Sequence, residues 1–118
     1  QTELSDDEID RVFHALATAT RRDILRRTIE AEQSVSALAA DYDMSFAAVQ
    51  KHVAVLEAAH LIVKRAEGRE RLVRADLVMI ARARALLARY EDLWRARIDR
   101  LDALLAEPEN RTTSHEGE

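Results

Sequence analysis

Two neighbouring side chains, Gln50 and Lys51, carry hydrogen-bonding groups that match the edges of DNA bases. A glutamine amide can bridge adenine N6 and N7, and a lysine ammonium can donate to guanine O6 and N7. Ser45 stands shortly before them, where its hydroxyl and the local amides would suit a phosphate at the start of a helix. These residue types at this spacing indicate the reading face of a helix in a DNA major groove.

The other side chains of this segment extend the same face. Ala47 and Ala48 allow a close approach to base edges and can contact a thymine methyl group. Phe46 either contacts a base edge or sugar, or folds back onto Tyr42. His52 is either a phosphate contact or a half-buried structural residue. We therefore expect DNA contacts along residues 45–52.

Residues 34–61 supply the elements that must position this face. A first short helix has one apolar side at Leu38 and Ala39, Asp43 suits the reversal of the chain, and Ser45 can cap a second helix. The apolar residues of the second helix recur at helical spacing as one buried stripe: Val49, Val53 and Leu56. This combination is typical of a helix-turn-helix.

A basic β-hairpin is predicted directly after the helix-turn-helix. Residues 61–63 favour a strand, residues 67–69 form a turn signal around Gly68, and residues 71–74 alternate polar and apolar side chains. A helix-turn-helix followed by such a hairpin is a winged helix. The basic side chains of the wing predicted to contact DNA are Lys64, Arg65, Arg69 and Arg71.

The roles of several arginines stay open. Arginine favours the narrow, electronegative minor groove of A/T-rich DNA, which suits Arg69 and Arg71. The alternative is a solvated hairpin in which the arginines pair with Glu67 and Glu70. Near the N-terminus, the adjacent arginines at 21–22 either contact phosphate or pair with carboxylates of neighbouring helices.

Four segments resemble the matching segments of the ArsR-type bacterial transcriptional regulators: TRRDIL, SVSALAADYDMS, AAVQKHVAVLEAAHLI and EGRERLV. The resemblance covers residues 5–106. It implies a mainly α winged helix-turn-helix with a small β-hairpin, built from about five helices plus a two-stranded wing and dimerising through its first and last helices. The chain departs from the family at Thr18-Ala19, where Asp-Pro is frequent, and at Phe46, where a polar residue is usual.

The resemblance implies a sequence-specific DNA-binding transcriptional regulator without enzymatic activity. Two recognition helices in a homodimer imply an inverted-repeat operator on double-stranded DNA. Repression by covering a promoter is favoured over activation, because the sequence carries no visible activation surface.

Local signals predict the limits of the first two helices. Ser5 with Glu8 predicts a capping box for a first helix that runs to about Ala17, and Thr20 with Asp23 predicts a second capping box. The predicted core face of the second helix consists of Ile24, Leu25 and Ile29.

A long last helix, residues 77–106, is predicted between Asp76, which can cap it, and Pro108, which stops it. One small domain cannot cover the whole apolar stripe of this helix, so we expect a second copy of the chain to cover part of it. The alternative is that Tyr90 and Trp94 pack into the core of their own chain. The residues predicted at the dimer interface are Ile9, Val12, Phe13, Leu87, Tyr90, Trp94, Ile98 and Leu101. Residues 1–108 then form the DNA-binding and dimerisation domain, and residues 109–118 form a disordered polar tail.

The net charge of −4 is unevenly distributed. Residues 1–10 carry five carboxylates and no basic side chain, and residues 107–118 carry four carboxylates and one arginine. The rest of the chain is therefore net positive. We expect DNA binding to weaken strongly with salt, because neutralised phosphates release counterions.

The composition of the chain also limits which regulatory ligands it could bind. There is no cysteine, and the four histidines, at positions 14, 52, 60 and 115, lack ligand spacing. We expect no cofactor and no regulatory zinc, cadmium or arsenic site, although many ArsR-type proteins respond to metals. An organic effector at the dimer interface, a partner protein and control by expression level stay open. The lack of a long apolar run predicts a cytoplasmic protein.

Two other classes of protein fit less well. A small helical enzyme of the chorismate mutase type needs charged residues that converge on a buried pocket, but Arg97 lies beside the last apolar stripe rather than within it. A winged-helix protein-interaction module without DNA binding would suit the acidic ends. Titration with DNA at several salt concentrations separates such a module from a regulator.

Overall fold

The computed structural model describes residues 3–116, with side chains described as far as Ala106. Contacts divide the chain into two units, residues 1–84 and residues 85–118. The elements in chain order are α1 (Asp6–Ala15), α2 (Ala19–Glu30), β1 (Gln33–Ser34), α3 (Val35–Ala40), α4 (Phe46–Ala58), β2 (Ile62–Glu67), β3 (Glu70–Ala75) and α5 (Leu77–Glu116). This is the predicted winged helix-turn-helix with one additional short strand.

The first helix begins as the sequence predicts. The Ser5 amide donates to Glu8 Oε1 at 2.8 Å, and the Ser5 hydroxyl accepts from the Glu8 amide at 3.2 Å. This is a capping box, and its hydrogen bond from the Ser5 backbone is the main reason that the pKa of Glu8 is lowered.

The second helix begins earlier than predicted. Its N-cap is Thr18, whose hydroxyl accepts from the Arg21 amide at 3.2 Å. The predicted capping box of Thr20 and Asp23 is therefore wrong. Thr18 has the extended backbone that a cap requires, and the Asp23 carboxylate instead accepts hydrogen bonds from Arg26 and Tyr42.

The core of the first unit lies among α1–α4, the sheet and the start of α5. The predicted stripe of α4 is fully buried in it, and so is Ile24 of α2. Leu25 packs at the edge of the core, but Ile29 is 49% exposed, so the predicted core face of α2 is too long by one residue. The buried cluster consists of Val12, Ala15, Ile24, Val35, Leu38, Val49, Val53, Leu56, Ala59, Leu61, Ile62, Val73 and Met79.

The wing is part of an antiparallel sheet with the strand order β1-β3-β2. β2 and β3 are joined by Gly68 and Arg69, and Gly68 has φ of +63°. A glycine with positive φ at the first position of a two-residue loop fits a type II′ turn, which matches the twist of the strands. The third strand, β1, pairs Gln33 with Val73 and was not predicted.

A Schellman motif ends α4 and directs the chain into the wing. The His60 amide donates to the Glu57 carbonyl at 2.9 Å, and the Leu61 amide donates to the Leu56 carbonyl at 3.1 Å. His60 occupies the left-handed position with φ of +62°, which glycine usually fills. The motif fixes the angle between the recognition helix and β2.

The last helix is capped by Asp76, whose Oδ1 accepts from the Val78 amide at 3.0 Å. The helix continues through Pro108 to Glu116, so the predicted stop at Pro108 is wrong. A proline removes one helical hydrogen bond and crowds the preceding turn, but the turns that follow can keep their own bonds. The structure does not describe the side chains of residues 109–118, where the sequence predicts a disordered tail. The disorder of this tail and the domain boundary at residue 108 stay predictions.

In the second unit, α5 exposes most of its large apolar side chains. The exposed residues are Leu87, Tyr90, Leu93, Trp94, Ile98, Leu101, Leu104 and Leu105. Among the described residues, no helical stretch is both long enough and apolar enough to cross a lipid bilayer.

Candidate nucleic-acid interface

The predicted recognition helix, α4, presents an exposed face of small and polar side chains. Ser45 caps it as expected, with its hydroxyl accepting from the Ala48 amide at 3.1 Å. Ala47, Gln50 and Lys51 are exposed, and Ala48 is half-buried. Phe46 is 47% exposed at the first position of the helix, and its two predicted roles stay predictions. The sequence therefore predicted the composition of this face correctly.

A polar cluster holds the turn between α3 and α4 against α2. The Tyr42 hydroxyl donates to Asp23 Oδ2 at 2.5 Å, and Arg27 lies 5.6 Å from the centre of the Tyr42 ring while pairing with Asp41. The Tyr42 hydrogen bond is the main cause that lowers the pKa of Asp23. Burial, followed by the hydrogen bond to Asp23, raises the pKa of Tyr42. The cluster fixes the turn that orients α4.

Arg21 links the end of α1 to the recognition helix, a role that neither predicted alternative included. Its side chain is 8% exposed, and it donates to the Ala15 carbonyl at 2.9 Å and to the His14 carbonyl at 2.8 Å. The third contact, at 3.1 Å, joins the guanidinium to His52 Nδ1. Arg22 similarly donates to the Leu16 carbonyl at 2.8 Å. Both arginines therefore cap the C-terminus of α1.

His52 is half-buried, and its Nδ1 faces a permanent cation. Burial first, and the charge of Arg21 second, lower the pKa of His52. A guanidinium has donors only, so His52 Nδ1 accepts the hydrogen bond from Arg21. This geometry supports the structural role of His52 that the sequence left open.

Two cations at the base of the wing are held by carboxylates. Lys64 Nζ lies 3.3 Å from Glu57 Oε1 at the end of α4. Arg65 donates to both carboxylate oxygens of Glu32 at 3.0 Å and lies 2.8 Å from Glu67 Oε1. The hydrogen bonds to Glu32 and Glu67 raise the pKa of Arg65, and the bond from Arg65 lowers that of Glu32. These pairs tie the wing to the end of α4 and to the segment before β1.

The cations at the wing tip are arranged differently. In the described part of the chain, neither Arg69 nor Arg71 has a carboxylate within ion-pair distance, and the same is true of Lys51 on α4. Glu67 pairs with Arg65 instead, so the predicted alternative, in which Arg69 and Arg71 pair with Glu67 and Glu70, does not hold among the described residues.

The recognition helix and the wing enclose one groove, which we call the reading groove, of about 270 Å³. Phe46 and Gln50 contribute from α4, and Lys64, Arg69 and Arg71 contribute from the wing. The groove thus brings together five of the residues that the sequence predicted as DNA contacts. Its amide and free cations can hydrogen-bond bases and neutralise phosphates.

The residues predicted at the dimer interface fall into two groups. Val12 is 3% exposed and belongs to the core of its own chain, so its assignment to an interface is corrected. Ile9 is half-buried. The remaining residues are exposed: Phe13, Leu87, Tyr90, Trp94, Ile98 and Leu101. Trp94, for example, is 61% exposed. Periodicity alone could not separate Val12 from its neighbour Phe13.

No three His, Asp or Glu side chains among the described residues are grouped in a way that could hold a metal ion. His14, His52 and His60 lie within this part of the chain. His115 lies outside the described side chains, and the prediction of no regulatory metal remains a prediction.

Comparison with known proteins gives a consistent set of relatives, although no protein-family model matches. The chain is 37% identical over 81 residues to the HTH-type transcriptional regulator Rv2034 of Mycobacterium tuberculosis, covering 69% of this chain and 76% of that protein. Among solved structures, an ArsR family transcriptional regulator is 30% identical, with a TM-score of 0.73 over 79% of this chain and 96% of that one.

Two further structures extend this comparison. An ArsR-like transcriptional regulator from Rhodococcus sp. RHA1 is 32% identical, with a TM-score of 0.75 over 83% of this chain and 90% of that one. A homodimeric winged helix-turn-helix DNA-binding domain from Mycobacterium bovis is 26% identical, with a TM-score of 0.59 over 76% of this chain and 91% of that one.

Proposed function

This chain belongs to the ArsR family of winged helix-turn-helix transcriptional regulators, and we propose that it represses by binding an inverted-repeat operator as a homodimer. In each half-site, α4 lies in the major groove and the wing lies on the adjacent minor groove. The observation that carries this proposal is the reading groove, in which Phe46, Gln50 and the free wing arginines converge.

The residues of the interface divide by the chemistry of their contacts. Gln50 and Lys51 have exposed polar ends that can reach base edges, and they supply sequence discrimination. Ser45 and its helix amides contact phosphate, and Ala47 and Ala48 allow the backbone to approach the bases. The paired cations Lys64 and Arg65 orient the wing, and His52 supports α4 from the protein side.

The wing tip supplies the contact that does not depend on sequence. Arg69 and Arg71 have no carboxylate partner among the described residues. They can therefore bind a phosphate, or enter a narrow minor groove, without first breaking an ion pair. Each such cation that neutralises a phosphate releases counterions, which makes the binding salt-dependent.

The homodimer is supported by the exposed apolar residues of α5 and by Phe13 of α1. Burial of one large apolar side chain stabilises an assembly by about 1.5–3 kcal/mol, so covering this set gives a strong drive to associate. The M. bovis relative is homodimeric. Two copies related by a twofold axis would place their recognition helices about 34 Å apart, one DNA turn.

Fluorescence anisotropy against the DNA upstream of the protein's own gene, with a salt titration, tests the proposal. We expect Gln50→Ala and Lys51→Ala to weaken operator binding about tenfold while leaving nonspecific binding intact. We expect Arg69→Ala to weaken binding to all sequences and to reduce the salt slope by about one per protomer.

The matched control for Arg69→Ala is Arg26→Ala, which removes an arginine that pairs with Asp23 and Glu30 on its own helix. This control should retain operator affinity. Sedimentation at micromolar concentration should give a dimer. Unchanged affinity in all three interface variants, or a monomeric wild-type protein, would contradict the proposal.

A further inference from the structure

Phe46 and Gln50 form a pair on the first turns of the recognition helix. Residues four apart on a helix are neighbours on the same face, with Cβ atoms about 5–6 Å apart. Both side chains are exposed, and both line the reading groove. The Gln50 amide makes no hydrogen bond within the part of the chain that the structure describes. The pair therefore presents one apolar surface and one unpartnered amide to whatever enters the groove.

Each member of the pair has a complementary group on the major-groove edge of an A·T base pair. The thymine C5-methyl is the only apolar group that a base presents there, and aromatic side chains can contact it. A glutamine amide forms two hydrogen bonds with adenine N6 and N7. Exposed cations can bind phosphates at any sequence, but this pair cannot bind a G·C pair equally well.

We propose that Phe46 contacts a thymine methyl group and Gln50 pairs with an adenine, one or two base pairs apart, in each half-site of the operator. The separation follows from the helix geometry, because neighbouring base pairs are about 3.4 Å apart. The inference rests on the proposed function and deepens it, since it assigns bases to two residues of the interface.

The test uses the full chain and base analogues that delete single groups. An operator is first selected from a random DNA pool. Each thymine is then replaced singly by deoxyuridine, which lacks only the methyl group, and Kd is measured by anisotropy at fixed salt. For the wild-type protein, one position in each half-site should weaken binding about fourfold, the equivalent of one buried CH₂ group.

The Phe46→Ala variant should bind the unmodified operator more weakly and should be insensitive to deoxyuridine at that position. In the same way, 7-deazaadenine, which lacks N7, should weaken wild-type binding at a neighbouring adenine and have no effect on Gln50→Ala. The matched control is Ile29→Ala, an equally exposed apolar residue outside α4, which should keep both sensitivities. Circular dichroism checks that each variant is folded.

The possible failures are distinguishable. If the wild type binds a selected operator but senses no single methyl group, or if Phe46→Ala still senses it, the base assignment is wrong and the proposed function stands. If no DNA sequence is enriched and no binding is detected at low salt, the proposed function fails and the base assignment fails with it.

Discussion

Replacement of Arg21 by alanine should destabilise the protein more than replacement of any exposed arginine. The guanidinium donates to two carbonyls at the end of α1, those of His14 and Ala15, and it contacts His52 Nδ1 on the recognition helix. The bond to the Ala15 carbonyl is buried. Alanine removes all three contacts and leaves a buried carbonyl without a donor.

The magnitude follows from these contacts. A hydrogen bond that involves a charged group contributes about 1.5–3 kcal/mol, and an unsatisfied buried group costs about 1–3 kcal/mol. Because water can reach the partly buried contacts, the three bonds do not add fully. We expect a loss of about 3 kcal/mol, which for a chain of this size lowers Tm by about 10 °C.

Urea denaturation followed by circular dichroism measures this loss, at one fixed protein concentration because association raises apparent stability. The control is Arg22→Ala, which removes an exposed arginine with a single bond to the Leu16 carbonyl and should cost about 0.5 kcal/mol. If the two variants lose the same stability, the anchoring role of Arg21 is refuted.

Three other substitutions have calculable outcomes. His60→Gly relieves the left-handed backbone and should raise stability by about 0.5–1 kcal/mol in urea denaturation; a lower midpoint would contradict this. Tyr42→Phe removes the hydrogen bond to Asp23 and should cost about 1 kcal/mol by the same measurement, whereas an unchanged midpoint would mean that the bond contributes nothing. Burial and the charge of Arg21 lower the pKa of His52 from 6.5 in the folded protein. As the pH falls, His52 is therefore protonated in the unfolded chain before it is protonated in the folded chain. The free energy of unfolding should consequently decrease as the pH drops below 6.5. His52→Gln should remove that part of the pH dependence. If the free energy of unfolding of the wild type and of His52→Gln depends on pH in the same way, the explanation is wrong.

Signals that act over three or four residues were predicted well. The caps at Ser5, Ser45 and Asp76 and the turn at Gly68 were all identified from the sequence. Each depends on a backbone amide within reach of a nearby side chain, or on a glycine that tolerates positive φ. The exposed face of α4 was predicted because helical periodicity separates it from the buried stripe that starts at Val49.

Contacts that depend on how elements pack were not predicted. Arg21 reaches back across the break between α1 and α2 to carbonyls six and seven residues earlier, and nothing local distinguishes it from Arg22. β1 has only two residues, and its pairing exists because the outer edge of β3 passes beside it. Thr18 and Thr20 are equally good caps by residue type, so the sequence could not show that Thr18 accepts from the Arg21 amide.

The division between paired and free cations explains how a chain with a net charge of −4 can bind DNA. Lys64 and Arg65 are already neutralised by carboxylates, so a phosphate that binds them must first displace an anion. Exposed pairs of this kind add little stability, but they hold long side chains in one direction and so orient the wing. Arg69 and Arg71 have no such partner among the described residues, so a phosphate that binds either of them neutralises a charge without displacing an anion. The charge that matters for affinity is therefore that of the free cations around the reading groove, rather than the net charge of the whole chain.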